Sequence, residues 1–171
     1  MVVDSLFKSI QRGKEGLNIG LSSGLSKLDL ITYGVQRRWM TVVAGDSGSG
    51  KSSFVLYSNI YQPFKQYCEN PEIDLHFLLF SFEMSAEVLL AKLLSLYIYE
   101  TYGKVLSYGH ILSLNEMLSD EDYQLIEQSK EWLQKFEARC EIIDKPVTAK
   151  GLYAVAKEWS KKHGTYKILE S

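Results

Sequence analysis

The chain has 171 residues, of which 46% are hydrophobic and 23% charged, and its formal net charge is −2. This length and composition fit one globular domain that buries a core of its own. The near balance of charges gives no overall positive field, so composition alone indicates neither a nucleic-acid nor a membrane partner. A local basic loop or a ring of subunits could still supply such a field.

The sequence shows no targeting segment and no cysteine framework. The amino-terminal residues lack the apolar run of a signal peptide, and the longest apolar stretch, around Leu75–Phe82, is far too short to span a bilayer. Cys68 and Cys140 lie far apart, and neither they nor the three histidines have metal-ligand spacing. We therefore expect a soluble, cytoplasmic protein with reduced thiols and no membrane partner.

The first predicted element is a short amphipathic helix followed by a linker, over residues 1–17. Its apolar residues Leu6, Phe7 and Ile10 recur at helical spacing. One such helix has too little apolar surface to fold alone. We expect it to dock on its own domain or on a neighbouring subunit.

Helices and strands alternate over the remaining residues, 18–171. Helices are predicted over residues 23–32, 52–66 (stopped near Pro63), 85–103, 119–138 and 148–163, with residues 104–118 irregular or briefly helical. Strands are predicted over residues 39–44, 75–82 and 140–143, the second of them apolar enough to be buried on both faces. Ser85, Ser119 and Thr148 are the expected caps of the last three helices. The alternation indicates an α/β domain with a mainly parallel sheet and helices on both faces.

A glycine-rich loop separates the first predicted strand from the helix that follows. Its pattern, Gly45-x-x-x-x-Gly50-Lys51-Ser52, is that of a P-loop. Glycines let successive backbone N–H groups face phosphate oxygens, and the helix adds its positive end. Lys51 would reach the β- and γ-phosphates, and the Ser52 hydroxyl would bind Mg²⁺. A purely structural glycine turn is the alternative. The expected binding residues for ATP and Mg²⁺ are Gly45, Asp46, Ser47, Gly48, Ser49, Gly50, Lys51, Ser52 and Ser53.

A second candidate residue, Glu83, stands at the carboxyl end of the second predicted strand, followed by Met84. Ligands of open α/β sheets lie at this end of the strands. If the first two strands are close together, Glu83 faces the γ-phosphate and can orient and partly deprotonate a water molecule. Position alone does not separate this role from that of an ordinary acidic residue at the start of a loop.

The segments GLSKLDLITYG, the P-loop and FLLFSFEMSAEVLLAKLL together resemble the ATPase domain of the replicative hexameric helicases, the DnaB-like family, in a phage-type version. The lead-in pattern of that family matches Ser23-Gly24, Leu28-Asp29, Thr32 and Gly34. Its second motif matches Glu83-Met84. With weaker matches over residues 111–120 and 142–146, the resemblance covers about residues 17–164.

This resemblance implies a RecA-like core and a motor that couples ATP hydrolysis to movement along single-stranded DNA, as a ring of six subunits. Glu83 would then be the catalytic base and Lys51 the phosphate-binding cation. The first helix would be the linker that packs on a neighbouring subunit, and primase or a loader would be a partner. A phage-encoded protein would act in the cytoplasm of its bacterial host.

The family's Walker B aspartate, DNA-binding loops and arginine finger are expected after Gly164. Residues 18–171 are therefore expected to be the N-terminal part of the ATPase domain, truncated before the Walker B strand and weakly active alone. Asp144 ends a predicted strand but precedes Walker B in the pattern, which makes it a lesser candidate for a metal-linked residue. Arg38 stands where the family often has glycine, and we interpret Arg37 and Arg38 as solvated or subunit-facing.

Other functions remain open from the residues. A RecA-type recombinase or a KaiC-like regulatory ATPase would share the fold and the glutamate. A P-loop kinase would need an arginine-rich lid, whereas only Arg139 follows Lys51. A nucleotide sensor without catalysis would not depend on Glu83. The tyrosines and tryptophans lie at core spacing on helices, which favours packing over stacking on bases.

Overall fold

The computed structural model describes residues 2–36, 39–114, 116–163 and 167–170. The helices are α1 (Val2–Lys14), α2 (Ser26–Thr32), α3 (Lys51–Val55), α4 (Gln62–Glu69), α5 (Ala86–Tyr102), α6 (Tyr108–Ile111), α7 (Asp120–Gln128), α8 (Lys130–Glu137) and α9 (Ala149–His163). The strands are β1 (Phe77–Phe80), β2 (Cys140–Ile143) and β3 (Lys167–Glu170), and a π-helical segment, Leu56–Tyr61, joins α3 to α4. Within the described residues, no helix is long and apolar enough to cross a membrane.

The three described strands form a parallel sheet in the order β2-β1-β3. Phe77 of β1 lies opposite Cys140 of β2 and Lys167 of β3. Parallel neighbours need crossover connections, which the helices between them supply. The central strand is β1, and β3 lies outside the strands that the sequence predicts.

The central strand is buried on both faces, as predicted. Phe77 and Leu79 pack on one side with the π-helical segment, α4, α5 and α8. Leu78 and Phe80 pack on the other side with α9, where Trp159 is buried. The prediction of an α/β arrangement with helices on both faces is therefore confirmed for this part of the sheet.

Aromatic side chains fill much of the larger core, as expected from their spacing, although the expectation is wrong for the exposed Trp39, Tyr123 and Tyr153. The Phe64 and Phe136 rings meet edge to face with centroids 5.1 Å apart, and Phe136 lies 5.7 Å from Phe77. Trp132 stacks on Tyr97 at 4.5 Å. Aromatic pairs of this geometry add to the free energy that burial of their area already contributes.

The helix after the phosphate loop is longer than predicted, because Pro63 does not stop it. Helical structure runs without a break from Lys51 to Glu69. A proline inside a helix removes a backbone donor, and its ring clashes with the carbonyl four residues earlier. The π-helical turn lies directly before Pro63, and the Gln62 N–H donates to the Tyr57 carbonyl five residues back. This wider turn makes room for the proline ring.

The helix predicted over residues 119–138 is divided into α7 and α8, which meet at Ser129. Ser129 is fully buried, and its hydroxyl donates to the Leu125 carbonyl at 2.7 Å. Such back-bonding competes with the regular helical ladder, which accounts for the break. The predicted caps are confirmed at Ser85, Ser119 and Thr148, whose side-chain oxygens each accept a backbone N–H from the following turn.

The strand predicted over residues 39–44 is wrong. Residues 39–46 have no regular secondary structure, and Trp39, Met40 and Val42 are 62%, 90% and 73% exposed. An apolar, β-branched run becomes a strand only where a neighbour completes its hydrogen bonds, and none of the three described strands pairs with it. Arg37 and Arg38 lie outside the described residues.

Candidate nucleotide site

The phosphate loop, residues 45–50, is an exposed turn directly before the helix that begins at Lys51. Gly48 and Gly50 have φ angles of +77° and +88°, a left-handed conformation that side chains disfavour. At Gly45 a Cβ atom would lie 2.7 Å from Ser49 Oγ, closer than real contacts allow. The left-handed backbone thus favours glycine at positions 48 and 50, whereas the close approach at Gly45 is to a serine hydroxyl that can rotate away.

The Lys51 side chain folds back across this loop. Its Nζ donates to the carbonyl oxygens of Gly45 and Asp46, at 2.9 and 2.8 Å. Neutral carbonyls are weaker acceptors than phosphate oxygens, so an arriving phosphate would compete well for the ammonium group. Ser52 follows in the first helical turn and is partly exposed. These residues fit the phosphates of a nucleoside triphosphate and its Mg²⁺.

Glu83 lies in the turn between β1 and α5, at the carboxyl end of the central strand. Its side chain is exposed, and among the described residues no hydrogen bond or ion pair engages its carboxylate. A group that orients and deprotonates water needs this accessibility.

The helix after the loop, and not the loop itself, packs on the strand that precedes Glu83. The helix that follows the loop buries Leu56 and Phe64 against Phe77 of β1, and Glu83 follows the end of that strand. Within the described ranges, no hydrogen bond or ion pair joins Glu83 to the loop. The structure therefore brings the loop residues together with one another and leaves the catalytic role of Glu83 a prediction.

Comparison with known protein families decides what kind of domain carries this loop. The family model of the DnaB-like helicase C terminal domain matches residues 20–169. The chain belongs to this family. A stretch of 78 residues is also 40% identical to the probable replicative DNA helicase of Trieres chinensis. That stretch covers 44% of this chain and 15% of the relative, so the chain spans a small part of that protein.

In this DnaB-like domain the lead-in segment, residues 20–35, has a structural role. Asp29 accepts hydrogen bonds from both the backbone N–H and the hydroxyl of Ser23, the latter at 2.6 Å, and from the Ser22 hydroxyl at 2.7 Å. Burial opposes the charged form, but these hydrogen bonds prevail and lower the pKa of Asp29. Leu21 and Val35 close the segment through a short antiparallel bridge.

Gln66 of α4, which the sequence analysis does not single out, fastens the lead-in segment to the helix after the phosphate loop. Its side-chain oxygen accepts from the Ser22 N–H, and its side-chain nitrogen donates to the Ser22 carbonyl, both at 2.9 Å. Gly24 lies close by, and a Cβ there would approach the Gln62 side chain to 2.7 Å. The Ser22 backbone thus holds the lead-in segment against α4, and no sequence signal marks Gln66 as its partner.

Asp144 directly follows β2, and its carboxylate accepts a hydrogen bond from the Ala86 N–H at 2.9 Å. This contact places Asp144 at the start of α5 rather than in a metal cluster. In the described part of the chain, no group of three or more histidine, cysteine or acidic residues is placed to hold a metal ion. Cys68 and Cys140 are both free thiols, and burial raises the pKa of the Cys140 thiol.

Proposed function

We propose that this chain is part of a replicative DNA helicase and binds and hydrolyses ATP to drive movement along single-stranded DNA. Membership of the DnaB-like family supports this proposal. The observation that carries it is the phosphate loop, with an ammonium group held 2.8–2.9 Å from the carbonyls at its entrance. Because the chain matches only 15% of its helicase relative, the activity is proposed for the protein that contains it.

Each site residue has a separate task in this proposal. The backbone of residues 45–50 and the Lys51 ammonium bind the phosphates, while Ser52 and Ser53 lie in the first helical turn beside them. Ser52 would hold Mg²⁺, which neutralises phosphate charge when bound. Glu83 would orient the attacking water and take its proton.

The assembly proposed is a homo-oligomeric ring, hexameric as in the family, with the linker helix at residues 1–17 and the ATPase part at residues 18–171. The exposed apolar face of α1 supports this division. An arginine from the next subunit would complete the charge on the transition state, so ATP hydrolysis would be slow without the ring. The proposed partner is primase or a loader. The proposed location is the cytoplasm, which is that of the bacterial host if the protein is phage-encoded.

The test is ATP turnover, with and without single-stranded DNA, by this chain and by the longer protein that contains it. Lys51→Ala should weaken ATP binding by about tenfold or more, since it removes a charged phosphate contact. Glu83→Gln should lower kcat by about 10²–10⁴-fold while leaving the Kd for ATP unchanged. Glu87→Gln, an exposed change in the first turn of α5, is the matched control and should leave both values unchanged.

Two outcomes would contradict the proposal. If DNA changes turnover in neither protein, a DNA-independent ATPase or a kinase replaces the helicase. If Glu83→Gln leaves turnover intact, the catalytic assignment is wrong. If Glu83→Gln abolishes ATP hydrolysis but the protein still performs its function in the cell, a nucleotide sensor is favoured.

A further inference from the structure

The turn that carries Glu83 is held at both ends by side chains. At its start the buried Ser81 donates its hydroxyl to the Met84 carbonyl at 2.6 Å. At its end Ser85 caps α5 by accepting from the Val88 N–H at 3.4 Å. These two hydrogen bonds restrict the backbone of residues 82–85. Among the described residues, the Glu83 carboxylate itself makes no hydrogen bond.

A third contact reaches this turn from the neighbouring strand. The Ser81 N–H donates to the Ile143 carbonyl at 2.9 Å, which extends the ladder between β1 and β2 by one step. The next residue, Asp144, then lies beside the start of α5, and its carboxylate accepts from the Ala86 N–H at 2.9 Å. A hydrogen bond to a carboxylate is stronger than one between neutral groups, and the positive helix end strengthens it further.

We propose that Asp144 is a positioning residue for Glu83. It fixes where α5 begins, three residues after Glu83, and so fixes the turn relative to both strands. The proposal rests on the catalytic role of Glu83 proposed above. It replaces a metal-linked role for Asp144 with one that acts through the backbone. Loss of the contact would let the turn move and would misplace the Glu83 carboxylate relative to the attacking water.

The test compares variants of the full-length protein. Asp144→Ala should lower kcat for ATP by roughly 10- to 100-fold, because small misplacements of a catalytic group are costly. The KM and Kd for ATP should stay unchanged, since the phosphate loop is a separate element. Asp144→Asn keeps a side-chain oxygen as acceptor and should recover most of the activity.

Ser119→Ala is the matched control. Ser119 caps α7, where its hydroxyl oxygen accepts from the Asp122 N–H at 3.1 Å, away from the Glu83 turn. Its loss should destabilise a helix start to a similar degree and leave kcat unchanged. An unchanged kcat in Asp144→Ala, or an equal fall in Ser119→Ala, would overturn the positioning role.

Amide hydrogen exchange separates failure of this inference from failure of the proposed function. Asp144→Ala should speed exchange in residues 83–88 and leave exchange in α7 as it is. If the wild-type protein shows no ATP turnover, the proposed function fails. Faster exchange in residues 83–88 of Asp144→Ala would still show that Asp144 holds the turn. Unchanged exchange in these residues would overturn that part whatever the turnover.

Discussion

The carboxylate of Asp29 ties together the start of the lead-in segment. Three hydrogen bonds from Ser22 and Ser23 end on it, and burial leaves it only partly exposed. We expect Asp29→Asn to cost about 1–2 kcal/mol of unfolding free energy, because the amide returns only one acceptor oxygen to these donors. Urea unfolding of the two proteins near neutral pH measures this difference.

The lowered pKa of Asp29 adds a pH dependence with a definite sign. A carboxyl whose folded-state pKa is lowered stabilises the protein above its unfolded pKa, and that contribution is lost as the pH falls through the folded value. Asp29→Asn should therefore lose less stability than the wild type on acidification. Glu72→Gln, an exposed change of the same charge, is the control, and an equal loss in Asp29→Asn and Glu72→Gln would contradict the argument.

Among the elements, those predicted correctly are the ones specified by their own residues. The cap at Ser85, the apolar helix after it and the left-handed Gly103 at its end define α5 almost to the residue. Residues 39–44 have the composition of a strand, but a strand also needs a partner elsewhere in the chain. Composition cannot supply that partner, so the prediction fails where structure depends on distant segments.

The candidate site divides in the same way. The loop and Lys51 follow from a local pattern, so the sequence alone marks them as the candidate phosphate site, and their binding of nucleotide stays a prediction. Asp144 and Gln66 act across 58 and 44 residues of chain, and their partners are backbone groups. A backbone partner leaves no trace in the sequence, and so neither contact could be predicted.

The start of α7 is joined to α6 by a histidine held between two carboxylates. His110 Nδ1 lies 2.7 Å from Glu116 Oε1, and Nε2 lies 3.1 Å from Asp122 Oδ2. Lys104 lies 2.5 Å from the other oxygen of Asp122. The hydrogen bond with Asp122, then that with Glu116, raises the pKa of His110, and Lys104, Ser119 and His110 lower the pKa of Asp122 to about 2.

These shifts predict how this connection responds to pH. A histidine with a raised folded-state pKa contributes stability below its unfolded pKa of about 6.5, and that contribution is lost as the pH rises through the folded value. His110→Asn should therefore lower stability more at about pH 5.5 than at about pH 8.5. Urea unfolding at the two pH values gives the comparison.

His76 provides the contrast that makes this test specific. Burial, then His163 and Arg139, lower the pKa of His76, so its contribution changes with pH in the opposite direction. His76 is present in both proteins, so its contribution cancels when the unfolding free energies of wild type and His110→Asn are subtracted at each pH. Glu116→Gln should reproduce part of the effect, because it removes one of the two carboxylates. A difference that stays constant with pH would contradict the assignment to His110.

At the scale of the whole molecule, the apolar face of α1 is exposed. Leu6, Phe7 and Ile10 are 56%, 65% and 55% exposed, and no residue of this helix is buried. A helix of 13 residues is marginal in water unless its apolar face packs on something. The described core clusters contain no residue of α1, so this face is available to a second molecule.

A second copy of the chain is the occupant that the proposed ring requires. Leu6→Ser with Ile10→Ser should shift the assembled protein towards smaller species, measured by sedimentation or light scattering at several concentrations. Lys8→Ser with Arg12→Ser changes the opposite face of the same helix and should leave assembly intact. Since the loop lies on a separate element, neither pair should change the Kd for ATP. Unaltered assembly after loss of both apolar side chains would exclude α1 as a subunit contact and return it to packing on its own domain.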